Sequence, residues 1–326
     1  MPHAISPCGW IHAERPAGSP RAPRDFRWVE RPPLPAHDDG AARHLEPLRA
    51  LGIAHLLDAH THWFPDAVNR KIWEYFDRHY WPVTYRGSTA ERLDWMRRNG
   101  VHRFTTLTYA HRPGMADWLN GWTAEFAAAT PEAVPCGTFF AEPGAAATVR
   151  RCIEDFRFRG FKLHLRVGDF DPAQEALHGA FEQIEAAGLP VVIHCGSAPD
   201  PGRFTAPGYL RRLLLRHPRL KVIVAHMGAA EFDTYLALAE SHPTVYLDTT
   251  MVFVGFSACD PFPPALLGRL EGVADHVLFG SDFPTIPYAF SHAVEGLLAL
   301  PLSDGAKRRV LRDNAAALFG IPIPPI

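Results

Sequence analysis

Two histidines separated by one residue, His60 and His62, follow an apolar run that begins at Leu56. In an extended chain alternate side chains share a face, so both imidazoles point the same way and Asp58 lies one step behind them. Neutral histidine is the commonest nitrogen ligand of zinc, and two such rings at the end of a buried strand could bind one metal ion together. A lone His-x-His is also typical of two polar residues in a loop, so the interpretation depends on further ligands elsewhere.

Further ligand-type residues stand at the ends of later apolar runs. These are Lys162 and His164 on one run, His194 and His226 at the ends of two others, and Asp282 after the last. Each of them alone would be an ordinary surface or core polar residue. If the runs are parallel strands of one barrel, their carboxyl ends form one rim, where the active site of such a barrel lies. The shared placement therefore predicts a metal-binding and catalytic site at that rim.

The elements that must position these residues are short apolar runs that alternate with longer segments of helical spacing. The predicted strands are Ile53–Ala59, His102–Thr108, Val134–Phe140, Gly160–Leu165, Leu189–His194, Lys221–Ala225, Thr244–Thr249 and His276–Gly280. The predicted helices are Thr89–Asn99, Met115–Thr130, Ala145–Phe158, Pro172–Ala187, Pro207–His217, Glu231–Ser241, Pro263–Leu270, Val294–Leu300 and Asp304–Phe319. Strands that are apolar throughout indicate a parallel sheet covered on both faces. Eight β-α units in one domain predict the α/β class and a closed (β/α)8 TIM-type barrel. No Gly-x-Gly-x-x-Gly motif follows the first strand, which counts against a dinucleotide-binding fold.

The whole chain has the composition of a soluble globular protein. Its 326 residues are 47% hydrophobic and 21% charged, with a formal net charge of −2. That balance gives no electrostatic reason to expect nucleic acid or a membrane surface as partner. The 5 cysteines are scattered, which makes a disulfide framework unexpected and favours a reducing compartment. With no signal-peptide pattern and no apolar run of membrane-spanning length, we expect a cytoplasmic protein.

The first 50 residues differ from the rest and are predicted to form an N-terminal arm, with the catalytic barrel over residues 51–326. Prolines alternate there with Ala, Arg and Gly, a composition that resists both helix and sheet. Trp10, Phe26 and Trp28 suggest an arm that lies on the barrel or on a neighbouring subunit. A disordered tail is the alternative, and a homodimer is left open.

The motifs at the strand ends resemble those of the amidohydrolase superfamily, in the branch that contains aminocarboxymuconate semialdehyde decarboxylase and many uncharacterised metal-dependent hydrolases. The resemblance extends over residues 53–320 and leaves the arm uncovered. It rests on Asp58–His62, Gly160–His164, Val192–Gly196, Val224–Gly228 and Phe279–Pro284. These motifs are specific for the superfamily and much less specific for a substrate.

The resemblance implies a ligand set and a catalytic histidine. His60, His62, His194 and Asp282 resemble the ligands of one divalent metal ion, with Zn2+ expected, and His226 resembles the catalytic histidine. Bound zinc lowers the pKa of its water to about 7, and Asp282 could also transfer protons. In two-metal relatives a carboxylated lysine on the fourth strand bridges the ions, so Lys162 and His164 are candidates for a second metal or for substrate. One metal is the usual arrangement in this branch and is the one we expect.

The substrate residues and the reaction are less defined. Trp63 and Phe64 are predicted to line the mouth of the site, and Arg112 and Arg166 are candidates to bind a carboxylate. The first hypothesis is hydrolysis of an amide, ester or lactone by metal-bound hydroxide. The alternative is a non-oxidative decarboxylase (carboxy-lyase), although some aromatic-acid decarboxylases of this group have glutamate where this chain has His60. A metal-dependent binding protein without catalytic activity is disfavoured, because such a protein would not need a histidine at the catalytic position of His226.

Overall fold

Eight parallel strands form the barrel in a computed structural model that describes residues 27–28, 42–257 and 260–323. Neighbours in sequence are neighbours in the sheet, and every pairing between them is parallel. The strands are β1 (Leu56–Asp58), β2 (Val101–Leu107), β3 (Ala133–Gly137), β4 (Gly160–His164), β5 (Pro190–His194), β6 (Lys221–Val224), β7 (Val245–Asp248) and β8 (Val277–Leu278). The predicted (β/α)8 barrel is confirmed, and all eight strands overlap the predicted runs.

The barrel closes where the segments that follow β1 and β8 meet. The backbone N–H of Ala59 donates to Phe279 O at 2.9 Å, and that of His62 donates to Phe283 O at 2.7 Å. An isolated parallel bridge joins Thr61 to Phe283. We call this contact between residues 59–62 and 279–283 the seam. It is the point of closure, and it carries three of the ligand-type residues, His60, His62 and Asp282.

Helices cover the barrel between the strands. They are α1 (Leu45–Ala50), α2 (Asp66–His79), α3 (Thr89–Arg98), α4 (Ala116–Ala129), α5 (Ala145–Glu154), α6 (Leu165–Gly168), α7 (His178–Ala187), α8 (Pro207–Arg216), α9 (Phe232–Ser241), α10 (Leu267–Leu270), α11 (Ser291–Leu298), α12 (Asp304–Arg308) and α13 (Asn314–Phe319). A π-helical turn, Arg309–Asp313, joins the last two. The best-defined start is that of α3, where Ser88 and Glu91 form a capping box. Within the described ranges, every helix is too short or too polar to span a lipid bilayer.

Three helices fall where the sequence predicted none: the four-residue α6, which follows β4, and the helices α1 and α2. The segment after the first strand, for which no element was predicted, contains α2, a helix of 14 residues that buries Ile72 and Trp73. The helix α1 lies before the predicted boundary at residue 50, yet Leu48 is buried in the main core and the His44 ring lies 2.9 Å from Asn99 O. The aromatic and apolar residues that alternate with charge in these segments therefore pack on the barrel.

Most of the N-terminal arm, including Trp10 and Phe26, lies outside the described residues. Arg27–Trp28 is described as a two-residue strand that pairs antiparallel with Phe256–Ser257. The latter segment follows β7, and the Phe256 side chain is buried against Trp81 with ring centroids 5.3 Å apart. One short piece of the arm thus adds a backbone pair to a loop on the rim of the barrel.

Candidate metal centre and active site

The ligand-type residues of the rim converge on Asp282. Its Oδ1 lies 3.1 Å from His62 Nε2 and 3.4 Å from His60 Nε2. Among the described residues, a group able to hold a metal ion is formed by His60, His226 and Asp282, whose ligand atoms all lie within 4.8 Å of one another. The segments that directly follow β1, β6 and β8 supply these side chains, which are far apart in sequence.

Hydrogen bonds orient three of the rings so that Nε2 faces the centre. His60 Nδ1 donates to Asp248 Oδ2 at 2.8 Å, His62 Nδ1 donates to Leu107 O at 2.7 Å, and His226 Nδ1 donates to Thr250 O at 3.1 Å. A carbonyl or carboxylate oxygen only accepts, so the proton of each neutral ring must be on Nδ1. Each Nε2 then presents a lone pair, which is the form of histidine that binds a metal.

The donor set fits a divalent cation. Nitrogen lone pairs of His60 and His62 face the Asp282 carboxylate at hydrogen-bond distance, and neither side of these contacts carries a proton in the neutral tautomers. Acceptors so close to one another repel unless a positive charge lies among them. Imidazole nitrogens and a carboxylate oxygen are ligands that suit zinc and other first-row divalent ions. These residues could therefore hold a divalent metal ion.

The charges around the centre follow from burial and from these contacts. Burial, and then the charge of Lys162, lowers the pKa of His60 to about 3, so this ring is neutral. Burial also lowers the pKa of His226. Burial raises the pKa of the Asp282 carboxyl, but the neighbouring rings, His62 first, lower it by more and hold it well below its usual range. Asp282 is consequently an anion that is available to a metal.

Lys162 lies fully buried at the floor of the site. Its Nζ is 3.2 Å from His60 Nε2, and its side chain has no exposed surface. Burial lowers the pKa of its amine to about 8, against the opposing charges of Asp248 and Asp282. The amine thus points at a candidate metal ligand and retains a proton at neutral pH.

His164 and His194 form a stacked pair beside the centre. Their ring centroids are 3.9 Å apart and their planes are inclined by 12°. His194 also meets His226 edge-on, with centroids 4.8 Å apart. Burial is the first cause that lowers the pKa of both stacked rings well below the usual value, so the pair is neutral. His194 is adjacent to the group of three described above and is not one of them.

Two members of the centre have a backbone conformation that is uncommon for residues other than glycine. The φ angles of His226 and Asp282 are 55° and 69°. Such left-handed residues cost about 1–3 kcal/mol each and persist where the surroundings hold them. The His226 N–H donates to Asp248 Oδ1, and the Asp282 N–H donates to His60 O, both at 2.9 Å. The same contacts that position these side chains stabilise their backbone.

A cavity of about 200 Å³ opens over the centre. Its floor contains His62, His164, His194, His226 and Asp282. Its walls are largely aromatic, formed by Tyr75, Phe76, Tyr80, Trp81, Tyr109, Phe232 and Phe262. The volume lies below the range typical of drug-sized ligands, which indicates a small substrate.

Arg166 is the predicted cation that the fold brings to this cavity. Its guanidinium donates to Asp200 Oδ2 at 2.7 Å, and both residues line the cavity. Two buried atoms, Arg166 Nε and His164 Nδ1, have no hydrogen-bond partner. A buried unpaired donor is costly, so these two atoms are suited to bind a ligand.

Three predicted substrate residues are not among the lining residues of the cavity. Trp63 is fully buried between the rings of Phe104 and Phe126, and its Nε1 donates to Thr61 Oγ1 at 2.8 Å. Phe64 packs under His62 and Tyr109 in a separate apolar cluster. Arg112 is exposed on the loop after β2. Along this segment the chain turns away from the rim after His62, so proximity in sequence to the ligands did not place Trp63 and Phe64 at the mouth.

The aromatic walls were only partly predictable. Tyr109, two residues beyond the end of β2, contacts both His62 and His164, with centroids 5.6 and 5.0 Å away. Burial, and then the charge of Asp282, raises the pKa of its phenol. Its position just after a strand was a usable signal. Tyr80 and Trp81 come to the cavity from the far end of α2, and nothing local in the sequence indicated that.

Comparison with known proteins extends this description. A family model described as Amidohydrolase matches residues 19–321. A search among curated proteins found no match.

Several solved structures share the fold. An uncharacterised TIM-barrel protein from Bordetella bronchiseptica has 22% identity and a TM-score of 0.66, over 82% of this chain and 99% of that one. The 5-carboxyvanillate decarboxylase from Sphingomonas paucimobilis has 21% identity and a TM-score of 0.63, over 82% and 100%. A dihydroxybenzoic acid decarboxylase from Polaromonas, solved with manganese and 2-nitroresorcinol, has 16% identity and a TM-score of 0.58, over 82% of this chain and 96% of that one. The family match covers most of the sequence and agrees with the resemblance of the strand-end motifs, so this chain belongs to the amidohydrolase family.

Proposed function

We propose that this protein is a metal-dependent, non-oxidative decarboxylase of a small aromatic acid. The observation that carries the proposal is the small cavity with aromatic walls directly over the histidine and aspartate centre. A planar ring could stack within these walls while an acidic group on it faces the centre. The similar structures include decarboxylases of 5-carboxyvanillate and of dihydroxybenzoic acids, which supports the same reaction class here.

The proposed metal ligands are His60, His62, His194 and Asp282. Three imidazoles and one carboxylate favour zinc, while two of the similar decarboxylase structures hold manganese. When bound, such an ion polarises the oxygen atoms of a substrate and stabilises negative charge that develops on them. One ion per chain is proposed, with Lys162 as an amine beside the site.

The chain's own groups would orient the acid and move the proton. Arg166, which already donates to Asp200, directs its unpaired Nε at a substrate anion, and His164 Nδ1 is a second contact. In the reaction a proton enters at the ring carbon that bears the carboxylate. The bond from that carbon to the carboxylate then breaks, its electron pair returns to the ring, and carbon dioxide leaves. Asp282, an anion in the resting site, would take a proton from water and deliver it to that carbon, with His226 beside it to stabilise charge.

Hydrolysis of an ester, lactone or amide is the second candidate. The observation in its favour is His60 at a position where some aromatic-acid decarboxylases of the resembled branch have glutamate. The same centre could polarise a carbonyl group, with His226 and Asp282 in the same proton-handling roles. The two candidates differ in the products that leave the cavity.

The experiment that separates them uses the purified full chain with its metal content measured. Hydroxybenzoic acids labelled at the carboxylate and a matched panel of aromatic esters and lactones are supplied in parallel. We expect labelled carbon dioxide from at least one acid and no hydrolysis above background. Hydrolysis without carbon dioxide release would overturn the decarboxylase in favour of the second candidate.

The roles of His194 and His226 are tested in the same assay with one alanine variant of each. His226→Ala should lower turnover about 10²–10⁴-fold, the range of a general acid–base group, and leave metal content near that of the unaltered chain. His194→Ala should lose metal and activity together. The opposite pattern, loss of metal in His226→Ala alone, would make His226 the ligand.

A further inference from the structure

One buried carboxylate, Asp58, bridges the two sides of the seam. It is 1% exposed. Its Oδ1 accepts hydrogen bonds from the backbone N–H groups of His60 and Ser281, both at 3.1 Å, and its Oδ2 accepts one from Ser281 Oγ at 2.5 Å. Asp58 ends β1, and Ser281 follows β8, 223 positions away in sequence. The bridge therefore joins the first and last units of the barrel where they close.

The bridge lies immediately behind the candidate ligands. Asp58 precedes His60 by two residues and bonds the N–H of that residue, while Ser281 directly precedes Asp282. The Ser281 hydroxyl also accepts from the Phe283 N–H at 3.0 Å, so it fixes the turn on both sides of Asp282. Asp282 has a left-handed backbone inside this turn. Movement of Ser281 relative to Asp58 would thus change the distance between the Asp282 carboxylate and the His60 and His62 rings.

A purely structural role does not need a carboxylate at this point. The backbone of the seam is already joined by bonds from Ala59, His62 and Asp282, and apolar residues fill the adjacent core. A buried carboxylate is costly unless it is well paired. The two oxygens of Asp58 accept hydrogen bonds from groups that flank the candidate ligands. What the polar pair adds is direction, since hydrogen bonds to both oxygens fix the position of Ser281 in a way that apolar packing cannot.

We propose that Asp58 and Ser281 are positioning residues, a clamp across the seam that sets the spacing of Asp282 from His60 and His62 and so the affinity of the centre for its metal. This inference rests on the proposed metal-dependent function. It adds residues that are not ligands and that lie outside the cavity lining, and it makes closure of the barrel and completion of the metal site one structural event.

The test measures zinc affinity in the full chain by chelator competition, beside the cobalt(II) absorption spectrum and the thermal midpoint of the metal-free protein. The variants are Asp58→Asn and Ser281→Ala. Changes of residues that orient metal ligands typically weaken affinity about 10–100-fold, and we expect that range for both. The cobalt spectrum should also change, because the ligand geometry changes.

Asn314→Ala is the matched control. The Asn314 side chain donates to Ala274 O and Val277 O, both at 2.7 Å, and so holds β8 at its opposite end. Its removal should lower the thermal midpoint but leave zinc affinity within about twofold and the cobalt spectrum unchanged. The same three readouts applied to this variant separate loss of stability from loss of positioning.

Two results would overturn the inference in different ways. If the unaltered chain binds zinc and both clamp variants bind it equally well, the clamp is wrong and the metal site stands. If the unaltered chain binds no zinc, cobalt or manganese, the proposed metal site fails and the clamp fails with it. Ser281→Ala removes a single oxygen atom, so it carries the test if Asp58→Asn does not fold.

Discussion

Lys162 is the residue on which the number of metal ions depends. The structure places its amine 3.2 Å from His60 Nε2, with no exposed surface. A bridging role requires reaction with carbon dioxide, which would convert this cation into an anion between two metal ions about 3.5–4 Å apart. As an amine it instead contributes positive charge beside His60, beneath the cavity. Because the buried amine lies beside a single group of candidate ligands, which converges on Asp282, we favour one metal ion.

The variant Lys162→Met tests this choice while it keeps most of the buried volume. We expect one metal ion per chain before and after the change, because His60, His62, His194 and Asp282 form the proposed site without the amine. Turnover should fall by about 10²-fold, since a charged group near the substrate is lost. Metal analysis and steady-state kinetics give the two readouts. Two ions in the unaltered chain and one in the variant would establish the bridge.

Protonation of the ligands provides a second prediction at this scale. An ordinary histidine with a pKa near 6.5 loses about tenfold in metal binding between pH 7.5 and 5.5, and three of them lose about 10³-fold. Burial lowers the pKa of His60 to about 3 and that of His194 well below the usual value. Protons therefore compete at these two rings only at lower pH, and affinity should fall by much less than about 10³-fold in this window. Chelator competition at the two pH values measures it, and a fall near 10³-fold would contradict the neutral, buried state of the rings.

The element that limits the geometry of the centre is the segment after β8. It must approach the segment after β1 closely enough for Asp282 to reach the His60 and His62 rings. Gly280 makes this approach possible, because a Cβ added there would lie 2.2 Å from Thr250 Oγ1 and 2.7 Å from His60 Cβ. Such contacts are too short for any side chain, so the seam requires glycine at this position.

Gly280→Ala should therefore separate the two segments. We expect a loss of about 1–3 kcal/mol in the free energy of unfolding, the usual cost of overpacking, together with weaker metal binding. Gly268→Ala is the matched control, because it lies in α10 and a Cβ there would meet nothing within 4 Å. Thermal or denaturant unfolding and zinc titration are the measurements. Equal stability of the two variants would show that the seam tolerates the extra atom.

For the whole molecule, the open question is what the N-terminal arm contributes to the barrel. Its strand Arg27–Trp28 pairs with Phe256–Ser257, in the connection that also provides the cavity residues Met251, Val252 and Phe262. Phe256 packs against Trp81, another wall residue. The arm thus contacts the wall of the cavity through one layer of residues, while the candidate metal centre lies at the floor.

Deletion of residues 1–41 should leave bound metal unchanged and raise the KM for substrate several-fold, because the wall loses its backbone partner. The cut ends before His44 and α1, which belong to the packed core. Deletion of residues 1–25 keeps the paired strand and is the matched control, with an unchanged KM. Metal analysis and kinetics on both proteins check the expectation. Loss of metal in the longer deletion would show that the arm is part of the barrel itself.

Local pattern was enough to predict the barrel and the group of residues at its rim. Alternation, apolar runs and helical spacing are short-range properties, so β4, β5 and β6 fall within one residue of their predicted limits. The carboxyl ends of parallel strands must share a rim, and this rule alone brought His60, His62, His194, His226 and Asp282 to one place. The family match then agreed with the motifs that these residues form.

Tertiary structure decided what the pattern could not. Whether an aromatic residue after a strand faces the cavity depends on how the chain turns and on what packs above it, which is why Trp63 joined the core while Trp81 and Tyr109 form the wall. The Asp58–Ser281 bridge joins residues 223 positions apart, and only closure of the barrel brings them together. The end of a strand is determined by residues that are neighbours in sequence. Contacts across the seam depend on the register of the complete barrel, which no local pattern in the sequence determines.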